Sequence, residues 1–376
     1  MRGQLELTPS FAAQLEGKIL ANAHAEGDVD GDGATELLFG SILGNVFVFK
    51  TRVIVATAEG ECSVFRSNVA LNICHVVHLN GELIIATRDG RVFVYQADTE
   101  HSDSNEVVEY SQLTQLEISN EIESLLVLHS TLSNPDASSQ LLARCFSGEV
   151  FCINSPSTNS PLGKRDVVPW SGPPHDKLGV TFIVGDIELG GHRDMVAIVS
   201  MTGLVSLFSS SGERQWDVQL PEAVVSADKL EMIAASGNPE DAIVVCTWSG
   251  QLYAIQSERS LVRFRMLLAA SSMFCVNIRD SVTQTDPTIV GISTSGSIFV
   301  YRDVQETLIR GLQDSTLADT VRKSTLFAQM DTPKKRGALI SKLREAYPQS
   351  FTKTKTPNNV TAEELISAMV AVPIQP

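Results

Sequence analysis

The chain has 376 residues, 43% of them hydrophobic, and a formal net charge of −15. A chain of this length and composition can bury a large core without crosslinks or metals, so a globular fold is expected. The start lacks a basic stretch leading into an apolar one, and no run of 18 apolar residues occurs, which argues against a cleaved secretion signal and against a membrane-spanning helix. The negative charge argues against nucleic acid, and against direct insertion into anionic membranes, because a polyanion requires a basic face.

In chain order, the first feature is the acidic stretch Asp28-Val-Asp30-Gly-Asp32-Gly33-Ala34-Thr35-Glu36. Oxygen ligands at alternating positions and glycine at a sharp bend follow the logic of a calcium loop. Asp28, Asp30, Asp32 and Glu36 are the candidate metal ligands, with the Ala34 carbonyl beside them. An EF-hand would need flanking helices and a glutamate at position 12, and neither is visible, so the loop is assigned to a turn before a strand. The competing reading is a turn held by its own side-chain to backbone hydrogen bonds.

A repeated pattern then runs along the chain: an apolar run, a few small or polar residues, a glycine, and an alternating strand ending in an aromatic residue or Ile. Its glycines are Gly44, Gly60, Gly90, Gly148, Gly203, Gly250 and Gly296. Glycine between two apolar strands supplies the positive φ of a tight hairpin, and the spacing of the later copies suits one four-stranded blade per repeat, usually ~40 to 50 residues. The expected fold is all-β, a seven-bladed β-propeller over residues 1–303. The step from Gly44 to Gly60 is too short for a blade, so the second blade is read as shortened, with a half to a whole blade of sequence absent at the junction of Lys50 and Thr51.

Residues 154–177 hold five prolines and read as a flexible loop between blades. Gly185 to Asp194 is a degraded echo of the acidic loop. Trp216-Asp217 reads as a hairpin with a packed tryptophan. After residue 303 the period changes to about 3.6: Val304, Leu308 and Leu312, then Leu339, Leu343 and Tyr347, then a capping box at Thr361 and Glu364, predict a helical and partly disordered tail over residues 304–376. Lys334 to Lys355 makes that tail basic.

The six cysteines lack CxxC spacing and mostly sit in apolar runs, so they are read as reduced and buried. His75 and His78 are read as strand-end residues. Motifs of metalloproteases, α/β-hydrolases, P-loops and dinucleotide-binding folds are missing, so neither catalytic nor cofactor-binding residues are assigned.

The stretch GDVDGDGATELLFG, closed by Phe39-Gly40, is similar to an FG-GAP repeat. Together with VVCTWSGQLYAIQSERSLVRF at residues 244–264 and SGSIFVYRDVQ at residues 295–305 it resembles the integrin-alpha FG-GAP repeat-containing protein 2 family. The resemblance runs from about Gly27 to Lys323, with a break at Lys50/Thr51. It implies a seven-bladed cytoplasmic scaffold of the KICSTOR complex, placed at the lysosomal membrane through its partners, which tethers the GATOR complex and restrains TOR complex 1 under nutrient starvation. The implied partners are a kaptin-like propeller subunit, the large KICSTOR scaffold subunit and GATOR; catalytic residues are not implied. The alternative is a calcium-dependent adhesion or ligand-binding propeller, and a propeller enzyme would require polar residues converging on the central channel.

Overall fold

In a computed structural model, the structure describes residues 5–308 except 30–32, 51–61, 67–69, 98–109, 119–120, 129–139, 155–164, 175–179, 234–237, 258–260, 267–269 and 282–283. Two short strands come first, β1 (Leu5–Leu7) and β2 (Phe11–Gln14). Six antiparallel sheets follow. The first holds β3 (Ile19–Gly27), β4 (Glu36–Ser41), β5 (Asn45–Lys50) and β6 (Cys62–Arg66). The second holds β7 (Ile73–Leu79), β8 (Glu82–Thr87), β9 (Arg91–Ala97) and β10 (Tyr110–Glu117). The third holds β11 (Ile122–Leu128), β12 (Gln140–Cys145), β13 (Val150–Ile153) and β14 (Val167–Pro169), and the fourth β15 (Thr181–Leu189), β16 (His192–Ser200), β17 (Leu204–Phe208) and β18 (Arg214–Gln219). The fifth holds β19 (Val224–Leu230), β20 (Ala242–Thr247), β21 (Gln251–Ile255) and β22 (Leu261–Met266); the sixth holds β23 (Ser272–Ser281), β24 (Gln284–Ile292) and β25 (Ser297–Tyr301).

Within each sheet the strands run in chain order, as expected of a propeller blade. The two middle strands are buried on both faces: β4 and β20 are buried along their whole length. Outer strands such as β18 and β22 alternate between covered and exposed residues. The turn from second to third strand is the recurring glycine motif. Gly44, Gly90, Gly148, Gly203, Gly250 and Gly296 have φ between 78° and 95°, and each N–H donates to the carbonyl three residues back, at 2.9 to 3.2 Å. A Cβ at Gly203 or Gly296 would also press on backbone carbonyls, so these turns need glycine for both conformation and space.

The apolar core lies between sheets. One cluster joins Phe274 and Val290 of the sixth sheet to Leu37 and Phe39 of the first and Ile73 and Phe93 of the second. Further clusters join the second sheet to the third, the third to the fourth, the fourth to the fifth and the fifth to the sixth. Phe39 is fully buried and meets Phe49 and Phe274 edge-on, with centroids 5.9 and 6.0 Å away. A Cβ on the next residue, Gly40, would collide with Ile73 of β7. The Phe-Gly pair thus combines a large anchor with a gap that lets neighbouring sheets approach.

The ring has six sheets among the described residues, which corrects the expectation of seven. The reason lies at Gly44 and Gly60. Strands β5 and β6 pair with each other, Phe49 opposite Cys62 and Val46 opposite Phe65, so the segment on either side of Gly60 belongs to one blade. The short step is therefore the connection from third to fourth strand, and residues 51–61 of that connection, with the junction at Thr51, lie outside the described residues. Strand β14 falls within the stretch read as an interblade loop: Val167 pairs with Ile153 and Pro169 with Phe151. Pro169 is tolerated because this is an edge strand. Of the expected helical tail the described residues hold a single turn, residues 304–308, whose Val304 and Leu308 are fully buried in one cluster with Leu7, Met232 and Tyr301. The first turn beyond residue 303 thus packs into the propeller core; Leu312, Leu339, Leu343, Tyr347 and the capping box lie outside the described residues.

The N-terminal strands close the ring. Strand β2 pairs with β25, Phe11 opposite Val300 and Gln14 opposite Ser297, and becomes the fourth strand of the sixth sheet. Strand β1 adds in parallel to β22 as a fifth strand of the fifth sheet. Removing residues 1–14 would strip both edges, the burial of Leu7 and the partial burial of Phe11, where full burial of a large apolar side chain is worth ~1.5–3 kcal/mol. The truncated chain is expected to lose at least about 2 kcal/mol in urea denaturation and to aggregate through the exposed edges; an unchanged midpoint would show that closure lies elsewhere.

Candidate functional site

The innermost strands β3, β7, β11, β15, β19 and β23 surround an axial channel with a cavity of about 310 Å³. Polar residues do converge there. His24 of β3 stacks on Phe274 of β23 with centroids 4.0 Å apart and planes 10° off parallel, and its ring lies 5.6 Å from that of His75 on β7. Burial lowers the pKa of His24 to about 3. Burial, and then the nearby His24 and Arg144, hold His75 well below the usual imidazole range. Its Nδ1 is buried without a hydrogen-bond partner. Both rings are therefore neutral at pH 7.

Asp228 of β19 accepts the backbone N–H of Cys275 at 2.7 Å and that of Lys229 at 2.8 Å. Burial nonetheless raises its pKa to about 6. The Cys275 thiol is pushed up strongly, first by burial and then by Asp228, which keeps it protonated and unreactive. On the other side of the channel, Glu123 of β11 accepts Asn22 Nδ2 at 2.6 Å and Arg144 Nε at 2.6 Å, and Arg144 lies 4.7 Å over the Phe182 ring. This buried group ties the first, third and fourth sheets together. The channel's chemistry is packing and charge neutralisation: neutral imidazoles, a protonated thiol and a satisfied ion pair.

Where the innermost strands end, the channel widens into a second cavity of about 650 Å³ lined by Glu26, Asp186, Glu188, Glu231 and Asp241. Lys229 lies among these acids, donating to the Asp186 carbonyl at 3.1 Å and pairing with Glu231 at 2.8 Å. Burial opposes its charge, but Glu231, Asp241 and Asp186 together raise its pKa. Asp241 accepts the Glu188 N–H at 2.8 Å and is raised by burial to about 6.

The predicted ligand loop stands at this same end, between β3 and β4. Asp28 Oδ2 accepts the Gly33 N–H at 3.0 Å and Glu36 Oε2 accepts the Val29 N–H at 3.0 Å. Two of the four candidates thus bracket one turn and hold it by backbone contacts; Asp30 and Asp32 lie outside the described residues. Asp28 Oδ1 is buried without a hydrogen-bond partner, an oxygen that a cation would satisfy, so the residues present fit a calcium-type ion to that extent. The echo in the fourth sheet is the β15–β16 hairpin, where Gly190 and Gly191 take φ of 60° and 78°. The six cysteines are free, five of them buried.

Residues 67–306 match the family model described as Integrin-alpha FG-GAP repeat-containing protein 2. The chain belongs to this family. Two curated relatives carry the name KICSTOR complex protein ITFG2. The Mus musculus protein is 29% identical over 153 residues, 38% of this chain and 33% of its own length. The Bos taurus protein is 28% identical over 116 residues, 30% of this chain and 20% of its own length. The matched stretches thus span a third or less of those relatives. Among solved structures, BBS1N in complex with ARL6DN, soaked with mercury, superposes with a TM-score of 0.51 at 14% identity over 78% of this chain and 95% of that one. The lead-soaked form gives 0.52, again at 14%, over 80% and 97%; at this identity the likeness shows the propeller fold alone. No helix among the described residues is long and apolar enough to cross a membrane.

The channel residues of this FG-GAP family member escaped the sequence reading because His24, His75 and Asp228 sit singly in three strands far apart in sequence. The available signal was a lone polar residue inside an apolar innermost strand, such as His75 in Ile-Cys-His-Val-Val. The neutral histidines have a consequence for acid stability. The free imidazole titrates near 6.5, so below that pH the unfolded chain takes up a proton that His24 refuses until about pH 3, and stability falls as the pH drops. Asp228 and Asp241 oppose this, because their folded pKa of about 6 exceeds the ordinary value of 3.8 and favours the folded state as pH falls through 6. His24→Phe, which keeps the stack on Phe274, is expected to flatten the acid-side loss between pH 6 and 4 by up to ~1.4 kcal/mol per pH unit. Denaturation midpoints across that range measure it; parallel curves for variant and wild type would refute the assignment.

Proposed function

We propose that this chain is a non-catalytic scaffold subunit of a KICSTOR-like complex that tethers the GATOR complex at the lysosome and restrains TOR complex 1 under nutrient starvation. The observation that carries the reading is the family match over residues 67–306, joined to the KICSTOR name of both curated relatives. The channel supports the non-catalytic part: its histidines are neutral, its thiol is held protonated, and its ion pair has a structural use. The proposed partners are a kaptin-like propeller subunit, a large KICSTOR scaffold subunit and GATOR. These partners would hold the protein at the lysosomal membrane from the cytoplasmic side. Tagged protein purified from amino-acid-starved cells is expected to retain all three by mass spectrometry, whereas a folded monomer retaining none would contradict the reading.

A calcium-binding propeller is the second reading, favoured by the orphaned Asp28 Oδ1. Asp28, Asp30, Asp32 and Glu36 would hold the ion, which would neutralise the loop and fix it at the acidic end of the channel. On this reading calcium at about 1 mM, the range of weak extracellular modules, raises the thermal midpoint of the wild type and not of Asp28→Asn. Equal midpoints with and without calcium would leave the loop a self-bonded turn.

A further inference from the structure

The end of the ring opposite the acidic cavity is built from the glycine turns and the connectors that enter each sheet. Backbone bonds knit them together. Met201 donates to the Val180 carbonyl at 3.2 Å and accepts Val224 N–H at 2.9 Å. Ile42 donates to Lys18 at 3.0 Å and accepts Asn72 N–H at 2.9 Å, while Phe146 donates to Glu121 at 3.1 Å and Trp248 to Ala223 at 2.8 Å. Each turn therefore spends its amide groups on the connectors, and the side chains two residues before Gly148, Gly203 and Gly250 stand in solvent. Those side chains are large and apolar: Trp248 is 83% exposed, Met201 46% and Phe146 37%. Beside the first-sheet turn, Leu43 and Leu71 are 55% and 51% exposed.

These positions fall in two neighbouring groups. Arg88, from the second sheet's turn, lies 4.6 Å over the Phe146 ring and donates its backbone N–H to Asn72, next to Leu71. Met201 and Trp248 bond to consecutive residues, Val224 and Ala223, of one connector. An apolar face so held is a protein-contact surface by composition, and exposed Trp and Met are residues that contribute disproportionately at interface centres. Its rim is acidic on balance among the described residues: Asp89, Glu121, Glu149 and Glu222 stand on the same turns and connectors, against Lys18, Arg88 and Arg91, the last paired with Asp89. The Asp89 carboxyl is held below its ordinary pKa first by its hydrogen bond from Arg91, so it stays charged. The chain's own tail leaves from the other end, since β25 runs away from the Gly296 turn and Gln305 lines the acidic cavity.

We infer that this turn face, centred on Trp248 and Met201, docks a partner protein whose contact surface is apolar with a Lys/Arg rim. The inference rests on the scaffold reading and names the surface through which it operates. The test uses the tagged full chain in three forms, wild type, Trp248→Ala/Met201→Ser, and Ile233→Ser, the last altering an apolar residue exposed at the opposite end. Each is purified from starved cells, coupled with a carbodiimide that joins carboxylates to lysines in salt-bridge contact, and peptide-mapped. The expected result is that Glu121, Glu149 or Glu222 couples to lysines of a subunit whose retention falls about tenfold or more in the double variant, the size of a hot-spot loss, and is unchanged in Ile233→Ser. Equal retention by all three forms overturns the inference while the scaffold reading stands. Retention of no subunit by the wild type overturns both. Trp248-dependent flotation with phosphatidylcholine/phosphatidylserine vesicles would assign the face to a membrane instead and also overturns it.

Discussion

A closed ring of sheets depends on how its last sheet finds a fourth strand. Strand β25 is the last among the described residues, and its outer edge would present unpaired N–H and C=O groups if nothing covered it. The N-terminal strand β2 fills that edge through four residue pairs. Side chains reinforce the seam, with Gln14 donating to Ser295 at 2.8 Å and accepting from Ser297 at 2.7 Å, and Phe11 meeting Phe49 of the first sheet at 6.5 Å. The first and last strands of the ring are thus joined through one sheet. Because the apolar clusters lie between sheets, each sheet relies on both neighbours, and closure makes the stability of the ring collective.

Closure also creates the channel, and the channel constrains what may line it. Six innermost strands bring polar residues into a confined space where charge is costly. The molecule meets this by neutralising His24 and His75, by raising Asp228, and by surrounding Glu123 with Asn22 and Arg144. Among the described residues, the two ends of the ring differ. One is an acidic cavity with a helical turn leaving beside it; the other is a knitted set of turns with apolar side chains facing outward. A rigid body with two chemically distinct ends suits a part that holds other proteins in place.

Much of this was legible in the residues, and the failures have physical causes. Glycine at φ near 90° is a local necessity, so the turn motif reported six blades faithfully wherever it marked the second hairpin. It overcounted at Gly60 because spacing alone does not say which strands pair, and the strands on either side of residues 51–61 pair with each other. Val167 to Pro169 escaped notice because an edge strand needs no apolar periodicity and tolerates proline. The channel residues were invisible because convergence is a property of the ring, whereas His24, His75 and Asp228 look unremarkable in their own segments. Of the ligand loop, Asp28 and Glu36 bracket one turn before β4, where their carboxylates accept the N–H groups of Gly33 and Val29.

The most direct test is a density map of the assembly purified from starved cells. The account predicts six blades, residues 11–14 as the outermost strand of the last, and a second polypeptide seated on the propeller. A seventh blade, an N-terminal strand detached from β25, or a lone propeller with both ends bare would contradict it.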